Sequence, residues 1–449
     1  MEGRKPQLAV RIRRLTAASL AAYVVSCPSA HTASATPSIL NIPKAESPSS
    51  VQDLTTLTGA FDESLLNSPR AAHLRAQLGI SKAAFAQALT LPNPSFFFLE
   101  DTAQRARQIG ASVPIEGPWK LAFRLLLAKQ QVRLADLEIQ NNLWQLRSTV
   151  RRAYLDVVMS KETVETLNTL MQLSQELETT ARKRFEADDV AAYDVERASL
   201  AWMQAEADYR QSLKRLEQSR QRLTVIMGKD YKKPVDVNHL PTFQLRAAND
   251  EMLPDFSREL PSLDSLIADG LKSRIDLKAV QQRMVVNTAS MRNTVGNIIP
   301  NTQLNIGNSY SGNPPEGPAT KGVFVGVTQE VPVFNFQQGD IARLKATYIQ
   351  FKREAASMKN VISEEVIAAY QQLSAARERL QLFQTKILPT SEKVASMARR
   401  GYEFGQNDIT STLAAQQANV QTRVNYLDAV RTYQQSLTDL EQAIGHPLN

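Results

Sequence analysis

The chain has 449 residues, enough for two to four ordinary domains, with 22% charged residues, 6% aromatics and only 17 glycines. Long stretches of Ala, Leu, Gln, Glu, Arg and Lys point to long helices and exclude a sandwich or a nucleotide-binding α/β fold. The formal charge of +7 is concentrated at the start, where residues 1–26 hold Arg4, Lys5, Arg11, Arg13 and Arg14 against Glu2. What remains is too mildly basic to argue for nucleic acid as a partner.

Residues 1–26 read as a secretory signal: a basic segment, then an apolar run from Leu15 to Val25 that is too short to span a bilayer. Cys27, the one cysteine, follows directly. Two readings stand. Val24-Val25-Ser26-Cys27 resembles a bacterial lipobox, which makes Cys27 the lipid-attachment site. Alternatively, cleavage after Ala33-Ser34-Ala35 discards it. Residues 27–60, rich in Ser, Thr, Pro and Ala, predict an extended segment. No later stretch is apolar enough for a membrane-spanning helix, so membrane residence would require a β-barrel or a lipid.

The rest of the chain is duplicated, as repeat 1 over 61–228 and repeat 2 over 263–449, with a proline-bearing linker over 229–262. Leu91-Pro92-Asn93 returns as Ile299-Pro300-Asn301, 208 residues on. Ala153-Tyr154 returns as Ala369-Tyr370, 216 on. Phe185 and Gly228 match Tyr402 and Gly445, 217 on. The order of features never changes, which marks a true repeat.

Each repeat predicts four elements in turn. A moderate helix covers 61–89 and 263–296. A strand pair follows. In repeat 1 its return strand is read from Trp119, Leu121, Phe123, Leu125 and Leu127, whereas Ser95–Leu99 alternates poorly. In repeat 2, Leu304, Ile306 and Tyr310 alternate with Gln303, Asn305 and Ser309, and 323–328 returns. Period two puts apolar side chains on one face, which suits lipid outside and water inside as well as a half-buried soluble sheet.

A long helix comes third. Ile362, Val366, Ala369, Leu373, Ala376, Leu380, Phe383 and Ile387 recur at alternating spacings of four and three, as do Leu143, Leu146, Val150, Ala153 and Val157. That is a coiled-coil seam. Pro389 predicts a bend or a stacking joint. A return helix through Leu413, Val420, Val424, Leu427, Leu437 and Ile444 completes the hairpin, with Gly228 and Gly445 as C-caps.

Leu91-Pro92-Asn93-Pro94, Ile299-Pro300-Asn301, 328–335, 387–392 and Gly401-Tyr402-Glu403-Phe404-Gly405, taken in this order, resemble the TolC family of outer-membrane efflux proteins over residues 60–449. The resemblance implies a mainly α protein with a β-barrel part. It implies a homotrimer whose twelve-stranded outer-membrane barrel continues into a periplasmic α-helical barrel. It implies an export duct of a tripartite efflux or type I secretion system, docking a periplasmic adaptor protein and an inner-membrane pump of resistance-nodulation-division or ABC type, with outer-membrane lipid around the barrel. Four strands cannot enclose a passage and twelve can. A helix bearing such a seam needs neighbours along its length.

By the same resemblance the hairpin tips dock the adaptor: Phe185, Glu186, Asp188, Asp189 and Val190 in repeat 1, and Tyr402, Glu403, Gly405, Gln406, Asn407 and Asp408 in repeat 2. Gly405 is placed for a left-handed turn, with Asp188 as its less tolerant counterpart. Asp194 stands at an acidic gate position of the family, and Ser411 and Ala414 stand where other members carry gate carboxylates.

Nothing predicts catalysis, a cofactor or a metal. His31, His73, His239 and His446 are scattered, and no phosphate loop or nucleophile elbow is present. The alternatives are a periplasmic adaptor, which usually has one hairpin flanked by β-domains, and a nucleic-acid-binding coiled coil.

Overall fold

The computed structural model describes residues 57–101, 106–235, 253, 254, 256, 259–311 and 320–448. The signal segment, Cys27 and most of the linker lie outside the described residues.

Repeat 1 runs α1 (Leu57–Asn67), α2 (Pro69–Ala88), β1 (Ser95–Asp101), β2 (Ala106–Ile115), α3 (Pro118–Glu186) and α4 (Ala192–Ile226). Repeat 2 runs α5 (Leu263–Ser273), α6 (Ile275–Gly296), β3 (Thr302–Ser311), β4 (Thr320–Thr328), α7 (Gln338–Leu382), a π turn (Phe383–Ile387), α8 (Leu388–Glu403) and α9 (Ile409–Ile444). The element order is duplicated throughout.

The first helix of each repeat is broken in two. Ser68 leaves the helix and caps α2, accepting from the Arg70 N–H at 3.3 Å, with Pro69 at the first helical position. Arg274 makes the second break and is held by Asp276 at 2.5 Å and by Glu365 of α7. Helix also begins at Leu57, inside the stretch read as extended.

The return strand of repeat 1 lies elsewhere than the alternation suggests. It is Ala106–Ile115, and residues 119–127 are the first turns of α3. Gly117 is an extended N-cap and Pro118 opens the helix. Proline there donates no N–H that the helix would use and carries a preset helical φ, so helix wins over the period-two pattern that follows. β2 itself alternates, with Ile109, Ala111, Val113 and Ile115 on one face and Gln108, Gly110, Ser112 and Pro114 on the other.

The four strands form one antiparallel sheet in the order β1-β2-β3-β4. Paired residues share a face. One face carries Phe96 and Phe98, then Ile109, Ala111 and Val113, then Leu304, Ile306 and the exposed amide Asn308, then Val323, Val325 and Val327. The other carries Gln108, Gly110 and Ser112 beside Gln303, Asn305, Gly307 and Ser309. The apolar face is exposed, Val323 by 76% and Phe96 by 84%. Its far end is marked by a row of Glu100, Arg107, Tyr310 and Lys321, with an Arg107–Glu100 ion pair at 2.8 Å and Lys321 over the Tyr310 ring. Ten-residue strands such as β2 and β3 rise roughly 34 Å, or roughly 26 Å when tilted about 40°.

The main core lies among the helices. Ile362, Val366, Leu373 and Leu380 of the predicted seam are fully buried, as are Val150 and Val157 of α3. In α3 the buried residues Leu146, Ala153, Ser174 and Ala181 stand whole heptads apart. In repeat 2 the heptads of Val366, Leu373 and Leu380 reappear one residue late, at Ala395 and Tyr402. The π turn lies between, where the Leu388 N–H reaches back five residues to the Phe383 carbonyl. It takes up the extra residue, so the seam does not rotate by about 100°. It also frees the chain from the clash between the Pro389 ring and the Thr385 carbonyl. Glu441 of α9 is buried and accepts from Arg151 at 2.6 Å and Arg147 at 3.3 Å, joining the C-terminal helix to α3.

Candidate functional site

The two hairpin tips are built by the same backbone hydrogen bonds. In repeat 1 the Asp188 N–H bonds the Phe185 carbonyl at 3.0 Å and the Asp189 N–H bonds that of Arg184 at 2.9 Å. In repeat 2 the Gly405 N–H bonds Tyr402 at 3.0 Å and the Gln406 N–H bonds Gly401 at 2.7 Å. Both turns pass through a left-handed residue, Asp188 at φ 57° and Gly405 at φ 70°, as the sequence predicts. The carbonyls left open at the helix end are thereby satisfied.

The tips differ in what starts the return helix. Asp408 caps α9, its carboxylate accepting from the Ser411 N–H at 3.1 Å. The hydroxyl and amide of Ser411 hold the Asp408 carboxyl below the usual carboxylate range. Ser411 also donates its hydroxyl to the Asp408 carbonyl at 3.0 Å. Ala191, the matching residue of repeat 1, offers α4 no side-chain cap. Left-handed aspartate and an uncapped helix make tip one the more strained of the two.

Most of the residues assigned to docking are exposed: Glu186, Asp188, Asp189, Glu403, Gly405, Gln406, Asn407 and Asp408, with Phe185 about half exposed and Val190 partly buried. Tyr402 is the exception. It is 1% exposed and packs with Leu177, Ala181, Ala198 and Ile409 in a small cluster that ties the two hairpins together at their tips. Its ring is covered by Arg184 of repeat 1, with the guanidinium carbon 4.9 Å from the ring centroid. Arg184 also donates to the Tyr402 carbonyl at 3.1 Å. Burial pushes the Tyr402 phenol up, Arg184 opposes that, and Asp194 adds to it. The phenol oxygen finds no hydrogen-bond partner among the described residues.

Asp194 is therefore brought close to Tyr402, half-buried in the first turn of α4. Ser411 is turned onto the Asp408 cap. One residue that the sequence did not single out matters here: Arg184 is the cross-hairpin clasp. Phe404, inside the tip motif read from the sequence and 77% exposed, is the most prominent apolar side chain of the tips; its match 217 residues earlier is Ala187. Among the described residues no cluster of His, Cys, Asp or Glu could hold a metal ion, and no helix is long and apolar enough to cross a membrane.

Residues 266–446 match the family described as Outer membrane efflux protein. That match takes in nearly all of repeat 2. Repeat 1 carries the same element order, and the following likenesses extend over it. The chain is 22% identical over 378 residues to the cobalt-zinc-cadmium resistance protein CzcC of Cupriavidus metallidurans, covering 82% of this chain and 85% of that one. It is similar in fold to the CmeC outer membrane channel of Campylobacter jejuni, with a TM-score of 0.66, 14% identity and coverage of 90% and 93%. It is similar to the outer membrane protein VceC of Vibrio cholerae, with a TM-score of 0.65, 14% identity and coverage of 88% and 97%. The fold is thus that of these outer membrane channels across both repeats, long helical hairpins with one four-stranded sheet.

Proposed function

We propose that the chain is the outer-membrane duct subunit of a tripartite efflux system. Three copies join their sheets into one twelve-stranded barrel and their six hairpins into a periplasmic tube. The observation that carries this reading is the two-faced sheet. Its apolar face is unburied, its other face carries small and amide side chains on β2 and β3, and among the described residues β1 and β4 are unpaired edges. Such edges are a liability in a lone chain, and three copies closing edge to edge remove them. The strand height suits an outer-membrane barrel.

The duct is passive: cargo selection and energy belong to an inner-membrane pump. The tips meet a periplasmic adaptor through Phe404, Glu403, Gln406 and Asn407 in repeat 2 and through Phe185, Glu186, Asp188 and Asp189 in repeat 1. Arg184, Tyr402 and Asp194 hold neighbouring hairpins together and set the width of the periplasmic mouth. The adaptor alternative is disfavoured because both repeats contribute strands to a single sheet.

Fractionation tests the reading. The protein is expected in the outer membrane, as an oligomer that resists detergent until heated, and it opens ion-conducting channels in planar bilayers. A product in the soluble or inner-membrane fraction would refute it. Tip two, capped and glycine-turned, is expected to dominate adaptor docking. Export that survives substitutions at 402–408 but not at 185–190 would reverse that ranking.

A further inference from the structure

One row of the sheet breaks the polar character of its lumen-side face. Phe97, Gly110, Gly307 and Phe324 are consecutive cross-strand partners on β1, β2, β3 and β4. The two outer members are aromatic and the two inner ones have no side chain. The rings lie down over the glycines and meet, with centroids 6.0 Å apart at an interplanar angle of 45°. A Cβ at Gly110 would come within 2.6 Å of the Phe97 ring and 2.7 Å of the Ile306 carbonyl, and one at Gly307 within 2.4 Å of the Ile109 carbonyl and 2.9 Å of the Phe324 ring. The glycines are thus a floor cleared for the rings. The rows on either side on this face are Ser95, Ser112, Asn305 and Gly326, and Leu99, Gln108, Ser309 and Gly322, so the aromatic pair, extended on β1 by the exposed Leu99, is an apolar patch bordered by polar and small groups.

Phe97 and Phe324 lie on the face opposite Phe96, Phe98, Val323 and Val325. If the latter meet lipid, the former meet the water-filled bore. Threefold symmetry then sets three identical pads at one level around the passage. We propose that these Phe97–Phe324 pads are a solute-contact site in the barrel lumen, engaging apolar and aromatic organic solutes in transit, hydrophobic cations among them. A tilted ring pair presents both a π face and edges, which suits stacking and cation–π contact. The inference rests on the duct reading above, because only the closed barrel turns this face inward.

The test is channel block in planar bilayers, with two probes of equal charge. Tetraphenylphosphonium is expected to reduce the conductance of the unaltered protein at concentrations where tetramethylammonium does not. Replacing both rings (Phe97→Ser with Phe324→Ser) should raise the half-blocking concentration roughly tenfold. Phe97→Leu with Phe324→Leu, which keeps apolar bulk over the glycine floor, serves if the serine pair fails to assemble and should also weaken block. Open channels equally indifferent to both cations would overturn the proposal with no variant needed. So would unchanged block in a channel-forming double variant. Absence of any channel from the unaltered protein would instead refute the duct reading, and the pads with it.

Discussion

Arg184 of the first hairpin covers the ring of Tyr402 in the second and donates to the Tyr402 carbonyl at 3.1 Å. One side chain of repeat 1 thus holds both the side chain and the backbone of the tip of repeat 2. Tyr402→Ala removes a fully buried ring and is expected to cost about 3 kcal/mol. Arg184→Ala leaves the ring in place but releases the clasp. Its expected effect is a larger single-channel conductance with little change in the thermal midpoint. Tyr402→Phe removes a phenol oxygen without a partner among the described residues, and should leave the midpoint unchanged or higher.

The Asp408 cap makes the second tip sensitive to acid. Hydrogen bonds from Ser411 lower the folded-state pKa of Asp408. A carboxyl with a depressed folded pKa contributes stability that is present above its unfolded value, near about 3.9. That stability is lost as pH falls through the folded value. Asp408→Asn retains a capping side chain that does not titrate. The difference in thermal midpoint between the two proteins should be flat above about pH 5 and should shift against the unaltered protein below about pH 4. The reciprocal change, Ala191→Asp at the uncapped first tip, is expected to stabilise by about 1 kcal/mol.

Glu441 is nearly fully enclosed and holds two arginines of α3. Glu441→Ala leaves Arg151, itself mostly covered, without its carboxylate. The expected loss is about 3 kcal/mol, read as a lower midpoint in chemical or thermal unfolding.

The two faces of the sheet make opposite predictions for neighbouring positions. Ile306→Arg places a charge on the lipid side and is expected to cost about 2–4 kcal/mol near the bilayer centre, lowering the amount assembled in the outer membrane. Asn305→Arg, one residue away, faces water and should assemble normally with altered ion selectivity. Equal tolerance of both would invert or abolish the face assignment.

The π turn is expected to be removable as a unit. Deleting one residue from 383–387 together with Pro389→Ala restores an unbroken helix with its seam in phase, and the oligomer should still form. Deleting one residue at Gln172, the matching place in α3, throws Ser174 and Ala181 out of register with Leu146 and Ala153. Assembly should then fail.

Much of this was legible in the sequence because it rests on local chemistry and period. The seam residues from Ile362 to Leu380 are the buried ones, and both left-handed tip residues fall where the repeat predicts. The π turn was present as the drift of the repeat offset from 216 to 217, although the proline beside it suggested only a bend. The return strand of repeat 1 was misplaced because residues 119–127 alternate as a strand would, and Gly117-Pro118 decides against it. The burial of Tyr402 depends on a partner 218 residues away, Arg184, which no local pattern encodes. The same is true of the Phe97–Phe324 contact, since it appears only once four strands are in register.

The central claim is that three copies of this chain close one duct. Native mass spectrometry of the protein extracted from outer membranes in mild detergent tests it most directly. The account predicts a species of three chains as the dominant assembly, falling to single chains on heating. A dominant monomer or dimer under the same conditions would leave the sheet edges unclosed and contradict it.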